Sequence, residues 1–338
     1  MRGLAFGMMG LWTMGVVAAA GCGTARESGP PTREPIEETS RFSFYADPDM
    51  NLHHLLYHWA RALNGQALTT VAEMEELDAL SEDERMVWDE ALQAYWRNAG
   101  TRNLLFDDDL VALRSRIVAR QSPEGLPDRD VRLVEALTRA RPVYAAHWSD
   151  AHRRLNESWV RTLMADLPAV EDRIAEGIAA AYGGRWPTES VVVDVSPYTN
   201  RVGGYTTSDF HVVISSTDSA NVMPQALEIL FHEASHGLSL EGPVHDMLRE
   251  TFAGRGGEPP DQLWHAVLFV TAGETTAMAY EEIGRPGHVH YGDFTGLYTR
   301  GVWTALSSAL KTHWVPYLRG DTDRMTALEA VADAISGN

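Results

Sequence analysis

The sequence predicts an α+β protein that is mainly α, with a helical N-terminal half, a short sheet and a helical C-terminal part. Three observations predict it. From about Asn51 to Tyr182, apolar residues recur at helical spacing. From Trp186 to about Thr217 they become β-branched and come in short runs bounded by Pro, Gly, Asn and Ser. After Asn221 the helical period returns and persists.

The first 22 residues are of another material. Arg2 precedes the almost uncharged run "GLAFGMMGLWTMGVVAAAGC", which ends in small residues. A basic start, an apolar middle too short to span a bilayer comfortably and a small-residue end describe a secretory signal. It closes on Cys22, the sole cysteine of the chain. The run "AAGC" resembles a bacterial lipoprotein box, with Ala19 standing where Leu is commonest. That resemblance implies lipidation of Cys22 and an exported protein, lipid-anchored at the periplasmic or outer-membrane face of the cell envelope. The alternative is plain secretion with an incidental cysteine. With no second cysteine, the exported part contains no internal disulfide and rests on its core, with or without a metal.

Residues 23–41, "GTARESGPPTREPIEETSR", offer almost nothing to bury and read as a flexible tether. Residues 42–185 form the helical region. In "DERMVWDEALQAYWRNAG", Met86, Trp88, Leu92, Tyr95 and Trp96 lie near helical spacing and Gly100 closes the segment. "RDVRLVEALTRARPVYAAHW" behaves similarly, and "DLPAVEDRIAEGIAAAYGG" starts at a proline and stops at Gly183-Gly184. In residues 186–338, "ESVVVDVSPY" and "DFHVVISST" read as strands, joined by hairpin or loop chemistry around Gly203-Gly204. "DSANVMPQALEILFHEASHGL" then starts a helix, with polar caps at Ser219 or Asn221, Pro224 in its first turn and Gly237 near its end.

A formal net charge of −19 over 338 residues argues against phosphate backbones and anionic lipid surfaces as partners, so no nucleic-acid function is expected.

The chemistry concentrates in "ILFHEASHGL", residues 229–238. His232 and His236 stand one helical turn apart, so both imidazoles can reach a single ion. Glu233 points about 100° away, where it can touch a water on that ion without ligating it. The flanking Ile229, Leu230, Phe231 and Leu238 are apolar enough to be buried. Burying two histidines and a glutamate there is costly unless a cation compensates. "NLHHLLYHWA" holds a second histidine group, His53, His54 and His58, but no acid intervenes, and its Leu, Tyr and Trp suit a packed amphipathic helix.

"HEASHGL" after a strand such as "HVVISS" resembles the zincin metallopeptidases, specifically their gluzincin branch, over about 100 residues from Val191 to roughly Ile283. The resemblance implies a small mixed sheet before the metal helix, a Zn2+ cofactor and a peptide or other amide substrate. It also implies an edge strand that binds extended substrate by backbone pairing, for which "FHVVISS", Phe210 to Ser216, is the candidate. The third ligand would be a glutamate on a later helix. "PDQLWHAVLFVTAGETTAMAYEEI" offers Glu274 and His265, about 900° of helical rotation apart. Glu274 is favoured, because a buried carboxylate needs a cation. His265 would then serve turnover without holding the metal; as a ligand itself, it could be oriented by Asp261. Glu250 is a distant third. Met278 stands where gluzincins often carry an acid.

The metal ligands expected are therefore His232, His236 and Glu274. Glu233 is the expected general base and His265 a further catalytic residue. Tyr291 is the candidate donor to an oxyanion, with His288, His290 and Tyr280 as alternatives. The competing expectation is a non-catalytic metal-binding or scaffold lipoprotein.

Overall fold

The computed structural model describes residues 33–65, 77–200, 203–208 and 210–336. The expected signal and Cys22 lie outside the described residues. The fold is α+β and mainly α, with one small mixed sheet. Its strands are β1 (Glu37–Glu38), β2 (Phe42–Tyr45), β3 (Val191–Ser196), β4 (Gly204–Thr206) and β5 (Val212–Ser215). Their spatial order is β1-β2-β3-β5-β4. β2, β3 and β5 run parallel, and the short outer strands β1 and β4 are antiparallel to their neighbours.

Helices α1 (Pro48–Leu63), α2 (Glu82–Ala99), α3 (Asp108–Val118), α4 (Asp128–His147), α5 (Ser149–Met164) and α6 (Leu167–Tyr182) precede β3. Their ends follow local chemistry. Asp47 accepts from Asp49 N–H and Met50 N–H ahead of α1, and Ser81 and Glu84 form a reciprocal capping box on α2. Beyond β5 come α7 (Gln225–Ala234), α8 (Leu238–Ala253), α9 (Leu263–Glu282) and α10 (Tyr291–Phe294). The chain closes with α11 (Val302–Ala309), α12 (Val315–Leu318) and α13 (Arg324–Ser336).

The sheet separates two cores. Val193, Val195, Val212 and Ile214 face a core shared with α6, α7, α8 and α9. Val213 and Tyr205 face the second core, built from α1, α2, α3 and α4. The alternation is that of a strand covered on both faces. α9 is apolar almost all round and buried nearly end to end, as a central helix must be.

Three expectations change here. The segment read as a tether enters the sheet at β1, and the Arg33 guanidinium reaches the buried Asp194 carboxylate at 2.5 Å. "FHVVISS" is not an edge: β5 lies between β3 and β4, so β4 is the outer strand. The Gly203-Gly204 segment adds a strand to the sheet instead of only turning the chain.

His53 and His54 are fully buried and bond the Tyr95 and Tyr205 hydroxyls at 3.0 and 2.7 Å, so they are core residues.

Candidate metal centre

The helix that begins at Gln225 ends inside the motif. Ser235 and His236 form a tightened last turn in which His236 N–H donates to Glu233 C=O at 3.2 Å. His232 is thus helical, whereas His236 sits in the turn leading into α8. Their ring centroids are still 5.1 Å apart. The third imidazole comes from the first turn of α9: His265 lies 5.1 Å from the His232 ring and 5.3 Å from the His236 ring. One nitrogen from each of the three lies within 4.8 Å of the others, close enough to hold a metal ion together.

The donor chemistry fits such an ion. His232 Nε2 and His265 Nε2 are 3.3 Å apart. Tetrahedral bonds of about 2.0–2.1 Å place ligand atoms roughly 3.3–3.4 Å from one another, so the spacing suits two nitrogens sharing a zinc-sized ion. Burial, reinforced by the neighbouring imidazoles, holds His232 well below the ordinary histidine range. Burial and His236 bring His265 down to about 3. Both rings are therefore neutral at physiological pH and keep a lone pair for an ion.

His236 is oriented from behind. Its Nδ1 lies 2.8 Å from Glu241 Oε2, which leaves Nε2 for the ion. Glu241 also lies 3.4 Å from His245 Nε2. Burial raises the Glu241 carboxyl, but the two histidines outweigh it and hold the group below the usual range. Sequence reasoning missed Glu241; an acid five residues after His236, across a glycine, was the available signal.

Aromatic rings enclose the cluster. Phe269 stacks on His232 with centroids 3.6 Å apart, Trp264 stacks on His265 at 5.0 Å, and Trp303 meets His265 edge-on at 5.6 Å. They lower the local dielectric and strengthen charge interactions inside the site.

Glu233 is buried, and its Oε2 accepts a 2.8 Å hydrogen bond from Thr206 Oγ1 on β4. The same hydroxyl lies 2.9 Å from the Glu233 carbonyl. A Cβ on Gly204 would come 3.3 Å from Glu233 Oε1, so the strand approaches the carboxylate closely where it carries no side chain. Burial raises the Glu233 carboxyl above its ordinary value, against the opposing pull of His236 and Thr206.

The remaining expectations separate. Glu274 is not brought to the histidines. Its carboxylate meets Arg319 at 2.6 Å and His290 Nε2 at 3.4 Å, so a guanidinium and an imidazole compensate its burial. Burial raises that carboxyl, and His290 and Arg319 outweigh it and hold the group below its ordinary value. Asp261 and Glu250 are exposed, and neither belongs to the histidine cluster. Among the oxyanion candidates, Tyr280 donates to Asp166 at 2.8 Å, and His288 lies 2.7 Å from Glu228. Tyr291 stays with the site: its ring stacks on Phe269 at 6.2 Å. Burial, and then the carboxylates of Asp218, Glu233 and Glu228, push its phenol up.

Comparison of the chain with protein-family models, curated proteins and solved structures finds no match.

Proposed function

We propose that this protein is a zinc-dependent amide hydrolase, most simply a peptidase, with His232, His236 and His265 as metal ligands and Glu233 as general base. One observation carries the reading: three imidazole nitrogens lie within 4.8 Å of one another, with the buried Glu233 carboxylate next to the first of them in sequence. This ligand set departs from the glutamate that the gluzincin resemblance implies, while the roles of the motif histidines and Glu233 remain.

Zinc held there supplies Lewis acidity, polarising a carbonyl and lowering the pKa of a water toward neutrality. Glu233 takes a proton from the attacking water and delivers it to the departing amine. Thr206 holds the carboxylate in one orientation during the exchange. Tyr291 donates to the developing oxyanion.

β4 offers the rail for an extended substrate. Ser215 N–H donates to Gly203 C=O, and Thr207 N–H donates to His211 C=O. In that antiparallel register, the backbone groups of Gly204 and Thr206 point away from β5. A peptide pairing there would run beside Glu233. Cys22 is the proposed lipid attachment, which places the enzyme at the envelope surface. No helix among the described residues is long and apolar enough to cross a membrane.

The test compares wild type with Glu233→Gln on a fluorogenic peptide library, with zinc measured in both. The expected result is one zinc per chain in each and hydrolysis in wild type alone. Full hydrolysis by Glu233→Gln, or a wild type that binds no zinc, would overturn the assignment. Zinc in both without turnover in either would favour a metal-binding lipoprotein.

A further inference from the structure

Resting on the amide-hydrolase reading of the histidine centre, we propose that Glu228 is a positioning residue that sets Tyr291 at the site. Glu228 lies on α7 one turn before His232, and it is completely buried. Its Oε2 is 2.7 Å from His288 Nε2 and accepts a 2.7 Å hydrogen bond from the Tyr291 backbone N–H. The metal helix therefore grips the 288–291 segment at two points, one of them the Tyr291 amide itself.

α9 joins the same knot. A Cβ on Gly273 would meet Glu228 Oε1 at 2.9 Å and His290 Cγ at 2.8 Å, so both groups lie against bare helix backbone. His290 then reaches Glu274, and Glu274 reaches Arg319. The helices carrying His232 and His265 are thus tied to each other and to Tyr291 through side-chain contacts of the 288–291 segment. From that anchor, the Tyr291 ring extends over Phe269, which itself lies against His232. The metal ligands are untouched by this arrangement. Its consequence falls on Tyr291: a free 288–291 segment would leave the phenol without a fixed place.

The test uses the full chain in wild type, Glu228→Ala, Glu228→Gln, Tyr291→Phe and the Glu228→Ala/Tyr291→Phe double variant. Gln keeps an oxygen able to accept both bonds, whereas Ala keeps none. Zinc content should be unchanged in all five proteins. Removing an oxyanion donor costs about 100- to 1,000-fold in kcat, so Tyr291→Phe should lose that much with KM kept. Glu228→Ala should lose a similar factor, and Glu228→Gln should stay within about tenfold of wild type. The double variant should be no worse than the poorer single one, since both changes remove the same interaction. Fully multiplicative losses, or a Glu228→Gln as impaired as Glu228→Ala with KM raised, would overturn the positioning role.

A second readout is independent of turnover. In protein labelled with 3-fluorotyrosine, the Tyr291 19F signal is assigned by its loss in Tyr291→Phe. It should move in Glu228→Ala and return in Glu228→Gln; a signal unmoved in folded Glu228→Ala overturns the proposal. If Glu228→Ala fails to fold, His288→Ala removes one of the two grips and should displace the signal partway, and no displacement there overturns it. If wild type hydrolyses no peptide, the hydrolase reading fails, and the 19F comparison still decides what Glu228 holds.

Discussion

An imidazole that holds a cation has to be neutral, and burial secures this for His232 and His265 before any ion arrives. On the proposed zinc site, His265→Ala should abolish stoichiometric zinc binding, as His232→Ala and His236→Ala should, because each removes one of the three proposed protein bonds. Glu274→Ala should keep the zinc and instead destabilise the fold, since it leaves the half-buried His290 without its carboxylate partner, while Arg319 keeps Glu281. Zinc titration of both variants checks this, and the reverse outcome would restore Glu274 as ligand. Glu241→Gln should weaken zinc binding by about 10- to 100-fold, the usual cost of losing a carboxylate behind a ligating histidine. Affinity unchanged in that variant would reduce the contact to surface pairing. His265 and Glu274 also show what the motif residues alone leave open. Both are charged or polar positions on one buried helix, and a buried carboxylate does need a cation. The partners of Glu274 are supplied from 16 and 45 residues further along, by His290 and Arg319, and no spacing within the helix announces them.

At the scale of elements, α2, α4 and α6 were legible from apolar period, and α2 and α6 also from the glycines that close them, Gly100 and Gly183. β3 and β5 were legible as β-branched runs. β1, β2 and β4 were not: none exceeds four residues, and each gains its backbone partners from a strand that the local sequence does not specify. The order of strands lies further out of reach: the sequence pattern points to β5 as the edge, whereas β4 is the outer strand. β4 carries its own prediction. Gly204→Val would place branched carbons where a Cβ already comes 3.3 Å from Glu233 Oε1. Hydrolysis should fall by at least about tenfold through displacement of Glu233, the proposed general base. Zinc content should not change, because β4 contributes no ligand. A variant that loses zinc and turnover together would show that the strand supports the whole centre.

Taken as a whole, the molecule places a sheet between two cores and lines their junction with neutral histidines. Burial, the neighbouring His54 and nearby guanidinium groups put His53 well below the ordinary range, and burial brings His54 and His152 down to about 4. All three are buried among Tyr95, Tyr205 and Tyr144, to whose hydroxyls they are bonded. In the unfolded chain the same groups titrate near the ordinary value of about 6.5. Their folded pKa values are depressed, so below about 6.5 the unfolded state binds more protons than the folded one. Their contribution to stability is thus complete above about pH 6.5 and is lost as the pH falls toward 4, by about 1.4 kcal/mol per pH unit for each histidine. Urea unfolding of the zinc-free protein should show a midpoint that holds steady from pH 8 to 7 and falls steadily between pH 6 and 4.5. Replacing His54 with Gln removes one titrating group while keeping a polar partner for Tyr205, so the slope in that window should shrink by one such increment. An unchanged slope would mean that His54 is already protonated in the folded protein, and that the junction between the two cores tolerates the charge.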